Sequence, residues 1–130
     1  MTTLAAAILA GLASVLLVHE LGHVVAALLC GGRVERVQWR GLSARVIAEL
    51  PDQRAQLLFF LAGALATASC ALLLGALAFV VESPTMALVM GLVAGMHLAH
   101  AAFALWPSGE SDGARLRALL CGEPSSQGER

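Results

Sequence analysis

Residues 19–23 read His-Glu-Leu-Gly-His. On a helix, positions four apart share one face, so the His19 and His23 imidazoles can grip a single divalent ion, with Glu20 beside them placed to move a proton. This HExxH spacing belongs to zinc-dependent hydrolysis, in which the metal activates water and polarises a carbonyl while the glutamate acts as general base. The expected cofactor is therefore Zn²⁺, and Glu20 is the expected catalytic residue. A catalytic zinc takes three protein ligands and keeps one position open, so a third ligand has to come from elsewhere in the chain.

Asp112, in the segment Leu-Trp-Pro-Ser-Gly-Glu-Ser-Asp-Gly at 105–113, is the first choice. The same residue could instead serve as the N-cap of a short helix running through Leu120. His100 could be a rival ligand or stand behind a ligand and orient it, because it lies about 9 Å of helix before Trp106, a depth similar to that of His23 before Cys30. His97 shares a face with His100 at i, i+3; most histidines inside a membrane bundle simply find hydrogen-bond partners there, so for both residues that reading stands beside a role as ligand or as support behind one. Glu110, in a Ser-Gly stretch, ranks last.

The elements that must position these groups belong to a membrane protein. Of 130 residues, 58% are hydrophobic and 13% charged, which places the chain among bilayer proteins rather than small soluble domains. Crossing a hydrocarbon core takes roughly 20 apolar residues as a helix, and three stretches suffice, at about 4–30, 55–81 and 85–106. Residues 57–81 carry no charge at all, so lipid must cover part of that span. The first stretch is read as a span rather than a cleaved secretory leader, because no basic residue precedes it and its apolar run is too long. Setting three ionisable groups within five residues of that span costs at least a few kcal/mol each, so they need a partner, a metal or a watery cavity.

Cys30-Gly31-Gly32 should close the first helix, since glycine accepts the left-handed conformation that releases the chain. β-Branched residues then predict two short strands, Arg33 to Trp39 and Ala44 to Leu50, around Arg40-Gly41. Pro51-Asp52 turns into the second span, and Ser83-Pro84 supplies an N-cap and a first-turn proline for the third. Small residues four apart, Gly63 with Thr67, Ala71 with Gly75 and Gly91 with Gly95, predict close helix approach. The expected fold class is an all-α membrane protein with three transmembrane helices and a small β-hairpin-like segment after the first. Residues 1–107 form the core, and 108–130 form a segment carrying the third ligand and then a tail whose last residues are expected to be disordered.

All eight basic residues are Arg, five between Arg33 and Arg54 and the others at Arg115, Arg117 and Arg130. The positive-inside rule then puts the Arg-rich loop and the C-terminus in the cytoplasm and the N-terminus outside. A net charge of −1, with the arginines split between loop and tail, argues against a nucleic-acid partner. Cys30, Cys70 and Cys121 show no CxxC spacing; neither a disulfide framework nor a thiolate site is expected, and they are read as small buried residues.

Together these residues resemble the site-2 protease family of intramembrane metalloproteases. The likeness rests on HELGH on an early helix, the strand-rich segment after it, Leu-Ala-Gly-Ala-Leu-Ala-Thr-Ala at 61–68 and the 105–113 segment, and it covers about residues 10–117. HELGH marks zinc hydrolases generally, whereas Pro107 followed by Asp112-Gly113 points to this family. The resemblance implies His19, His23 and Asp112 as zinc ligands, Glu20 as base, and single-span membrane proteins in the lipid bilayer as substrates. Family members tend to carry Pro and Asn in the Ala-Gly segment and Asn ahead of the Pro-Asp-Gly segment, where this chain has Ala64, Thr67 and Ala104. The rival expectation is an inactive adaptor of the same fold that binds a partner helix, and a third is a His-Glu proton path. A strand edge within 33–50 is expected to hold substrate once its helix has unwound.

Overall fold

The computed structural model describes residues 2–41 and 43–122. Its elements run α1 (Thr2–Leu29), β1 (Arg33–Arg40), β2 (Ser43–Glu49), α2 (Gln53–Val80), α3 (Pro84–Leu105) and α4 (Asp112–Cys121). Helices α1, α2 and α3 are each long and apolar enough to cross a membrane, and the antiparallel hairpin β1–β2 follows α1 directly. The chain is thus a three-span helical membrane protein with a hairpin between its first two spans. Each predicted boundary of a span falls within about two residues of the observed one, the ordinary spread of helix ends. The tail expected to be disordered, from residue 124 on, lies outside the described residues.

Local chemistry accounts for where the elements stop. Gly31 takes φ +73° just after α1, a conformation costly for residues with a Cβ. Asp52 caps α2 by accepting the Ala55 N–H at 2.7 Å. Ser83 caps α3, with Pro84 at its first position, where a missing N–H costs nothing. In the hairpin, Val37 pairs with Val46 and Gln38 with Arg45, and the register slips between Val34 and Arg36. That slip accommodates Glu35 as an extra residue, which explains the imperfect alternation of β1 in the sequence.

Large apolar side chains such as Leu17, Leu21, Leu72, Phe79 and Leu88 stand exposed along the three long helices, as lipid contact requires. Inside the bundle, α2 packs against both α1 and α3. Its seam with α3 is built from Ala64, Ala68, Ala101 and Ala104, small enough to let backbones approach where no hydrophobic effect drives them together. At the hairpin end, Val46 is buried with Ala27, Phe59 and Phe60, and Leu119 of α4 packs onto the same cluster. Gln53 Nε2 donates to the Leu119 carbonyl at 3.0 Å. Hairpin, α4 and the adjoining ends of the spans therefore form one cap over one end of the bundle.

Two expectations are corrected. Gly63, Thr67 and Ala71 are buried at helix contacts, but Gly75, Gly91 and Gly95 have no atom within 4 Å of where a Cβ would stand. A spacing of four selects a face of a helix without saying which face meets a neighbour, and Gly91 and Gly95 fall on an exposed one. The cysteines are not buried either: Cys30 and Cys70 are partly exposed and Cys121 is exposed, because Cys30 and Cys121 sit at or just past helix ends. All three are free thiols.

Candidate metal centre

His19 and His23 are both buried on α1, and Gly63 of α2 is what makes room for them. A Cβ at Gly63 would stand 2.5 Å from His23 Nε2 and 2.6 Å from His19 Cε1, closer than atoms can pack. One turn along, the fully buried Thr67 turns its hydroxyl back on its own helix, donating to the Gly63 and Ala64 carbonyls at 3.1 and 3.0 Å. His23 Nδ1–H donates to the Phe59 carbonyl at 2.7 Å, which leaves Nε2 of the neutral ring as a lone pair.

Asp112 arrives from the far end of the chain. After α3, Ser111 Oγ donates to the Trp106 carbonyl at 2.5 Å and accepts the Ala114 N–H at 3.1 Å. Ser111 is therefore the N-cap of α4, and the reading of Asp112 as that cap is corrected. Asp112 is the first helical residue, with its carboxylate directed into the bundle. Gly113 is jammed against the end of α3, where any Cβ would run into the Leu105 carbonyl.

The outcome is a triangle of electron-rich atoms. Asp112 Oδ2 lies 3.0 Å from His19 Nε2 and 3.2 Å from His23 Nε2, and the two nitrogens are 3.2 Å apart. Ligands of a tetrahedral zinc with bonds of 2.0–2.1 Å stand about 3.3 Å apart, so the triangle has nearly the size of one face of such a site. With the His23 proton committed to Phe59, lone pairs face one another here and repel unless a cation or a proton lies among them. No other group of three potential ligands converges in this way among the described residues. Burial would raise the Asp112 pKa, but when the proton among these atoms sits on an imidazole, the hydrogen bonds and charge of the protonated His19 and His23 rings outweigh burial and hold the carboxyl well below the usual carboxylate range. Asp112 thus stays ionised near neutral pH, as a ligand must.

Glu20 lines the same cavity, of about 400 Å³, together with the triangle residues and Arg45, His100 and Arg115. Its Oε2 accepts the Val46 N–H of β2 at 2.9 Å, so the hairpin holds the carboxylate beside the triangle. His100 also borders the cavity, but its ring meets the ring of His19 edge to face, with centroids 4.7 Å apart, and stays outside the triangle. His97, fully buried, lies 3.1 Å through Nε2 from Ser14 Oγ, which itself donates to the Gly11 carbonyl. Glu110 pairs with Arg45 at 2.7 Å across the cavity mouth. The sequence did not single out Ser14, Ser111, the Phe59 carbonyl or the Val46 N–H. Only Ser111 carried a signal, as a serine ahead of a run of helix formers.

Two substitutions probe this arrangement. If the triangle holds a zinc ion, Gly63→Ala should weaken its binding about tenfold or more, since overpacking of this kind costs about 1–3 kcal/mol and here falls on the His19 and His23 rings; competition with a chelator measures it. Arg45→Ala should lower stability by less than about 1 kcal/mol, because the Arg45–Glu110 pair is exposed and exposed pairs contribute little. Thermal unfolding checks that figure.

Fold and site together define a class: a multi-pass helical membrane protein with two buried histidines, a half-buried carboxylate beside them and an adjacent glutamate. Compared with known proteins, the chain matches no family model, no curated protein and no solved structure.

Proposed function

We propose that this chain is an intramembrane zinc metalloprotease of the site-2 protease type, hydrolysing peptide bonds in or near the transmembrane segments of single-span membrane proteins. The observation that carries the reading is the convergence of His19, His23 and Asp112 beside Glu20 within a bundle of membrane-length helices. The donor set suits zinc: two imidazoles, one carboxylate, and a second-nitrogen hydrogen bond that orients His23. When bound, zinc supplies Lewis-acid polarisation of a carbonyl and a water acidic enough to attack near neutral pH.

The remaining work falls to the chain. His19, His23 and Asp112 hold the ion, and Glu20 accepts the proton of the attacking water and passes it to the leaving amine. Val46 keeps Glu20 from swinging away. A substrate helix hides its carbonyls in internal hydrogen bonds and must unwind before it can be cut. Because Val46 turns its N–H to Glu20 rather than to β1, the outer edge of β2 faces the site, and Ala44, two residues away, shares that edge. An extended stretch of substrate adds there as a further strand. Ala44→Pro removes an N–H from this edge, so cleavage should fall roughly fivefold, the worth of about 1 kcal/mol for one hydrogen bond, with zinc content unchanged.

Orientation follows the arginines. Those of the hairpin region and of α4 lie at one end of the bundle, and the positive-inside rule puts that end, with the C-terminus, in the cytoplasm and the N-terminus outside. The adaptor reading draws support from the α2–α3 seam, where Ala64 and Ala104 pack in one apolar cluster and offer no side-chain amide to a transition state. One reconstitution separates the readings: metal analysis and cleavage of a panel of single-span proteins, with wild type beside Asp112→Ala. Zinc and cleavage in the wild type, with both lost in the variant, is the expected result. Zinc without cleavage of any substrate favours the adaptor, and a wild type that takes up no zinc sinks both.

A further inference from the structure

His19 and His23 are alike in sequence but not in support. His23 places its Nδ1–H on the Phe59 carbonyl. His19 Nδ1 is buried and has no hydrogen-bond partner among the described residues, and the same holds for His100 Nε2. These two orphaned nitrogens belong to rings in direct contact, with centroids 4.7 Å apart and planes at 86°. A buried polar atom without a partner is costly, and two of them in one contact answer each other if one donates and the other accepts. A histidine that ligates through Nε2 must carry its proton on Nδ1, and it almost always donates that proton to a neighbouring group. His97, one turn away on α3, has its Nε2 turned to Ser14 and Cys70, while its Nδ1 is likewise buried without a partner among the described residues; the ring in contact with His19 is that of His100.

We infer that His100 is the positioning residue for His19: its Nε2 accepts the His19 Nδ1–H, after a small turn of the touching rings or through one water molecule, and so keeps the His19 Nε2 lone pair aimed at the space shared with His23 and Asp112. The inference rests on the zinc reading above and deepens it. It divides the helices by role, with α1 and the start of α4 providing ligands, α2 orienting His23 through its backbone, and α3 orienting His19 through a side chain.

The test uses the full chain in detergent, stripped of metal, with Zn²⁺ as the probe and a chromophoric chelator as competitor. His100→Leu keeps bulk but offers no acceptor, and should bind zinc about 10- to 100-fold more weakly than wild type, the usual effect of losing such a partner. His100→Gln, whose side-chain oxygen accepts, should recover most of that loss, which a merely space-filling role would not produce. In the zinc-loaded wild type, NMR should show a His19 Nδ1 proton exchanging slowly with water. Equal affinity in wild type and His100→Leu overturns the inference and leaves the zinc reading standing. So does a His100→Gln variant that binds no better than His100→Leu, or a rapidly exchanging His19 proton in the wild type. A wild type without zinc removes the zinc reading and this inference together.

Discussion

Glu20→Gln should slow peptide hydrolysis by about 100- to 10,000-fold, the range that a positioned general base contributes, and should leave one zinc per chain. The substitution is close to isosteric, and a glutamine oxygen can still accept the Val46 N–H that Glu20 Oε2 accepts at 2.9 Å. Hairpin and cavity should therefore persist. None of the three triangle contacts involves Glu20, so metal affinity has no reason to fall. What disappears is the group that takes a proton from water and returns it to the amine. Cleavage of a single-span protein in proteoliposomes, with metal content measured on the same sample, decides the matter. Undiminished turnover in this variant would remove Glu20 from the chemistry.

The second large effect is expected where no functional group changes. Gly113→Ala should weaken zinc binding by about 100-fold or more, although Asp112 is intact. A Cβ at position 113 would run into the Leu105 carbonyl, which is backbone at the end of α3 and cannot rotate aside. The first turn of α4 has to move, and the Asp112 carboxylate moves with it, out of its 3.0 and 3.2 Å contacts with the histidines. Structural zinc sites bind with about 10–16 kcal/mol over four ligands, so losing one ligand is worth on the order of 3 kcal/mol, hence the two decades. Chelator competition measures the loss, and circular dichroism checks that the three spans remain helical. Wild-type affinity in Gly113→Ala would mean that the α3–α4 junction does not set the position of Asp112.

Most of the fold was legible in the sequence, for reasons that differ from element to element. The spans could be read because a bilayer demands about 20 apolar residues in a row. Their ends could be read because Gly31, Asp52 and Ser83-Pro84 act on backbone groups no more than a turn away. The hairpin showed in the β-branched residues of 33–50, although its bulge at Glu35 appeared only as a flaw in the alternation. The candidate site was legible in its local half. His19, Glu20 and His23 share a helix face by spacing alone, whereas the spacing that marked Gly63 equally marked Gly91 and Gly95, which are exposed and where an added Cβ would meet no neighbour.

Asp112 shows where local reading ends. It lies 93 residues from His19 and 89 from His23 along the chain, and from its own neighbours it could as well have been a helix cap. Its place was settled by Ser111 taking the cap and by Gly113 lying flush against α3. His100 is a similar case, since only the packing of α3 on α1 brings its ring edge to face with His19. The amino-acid sequence alone determined the three spans, their termini, the hairpin and the His-Glu-His face, because each arises from interactions repeated within a few residues. The tertiary structure alone decided which carboxylate meets the imidazoles, which glycine makes room for them and which histidine stands behind, because these depend on the rotation of one helix against another, set by many weak contacts between residues far apart in the chain.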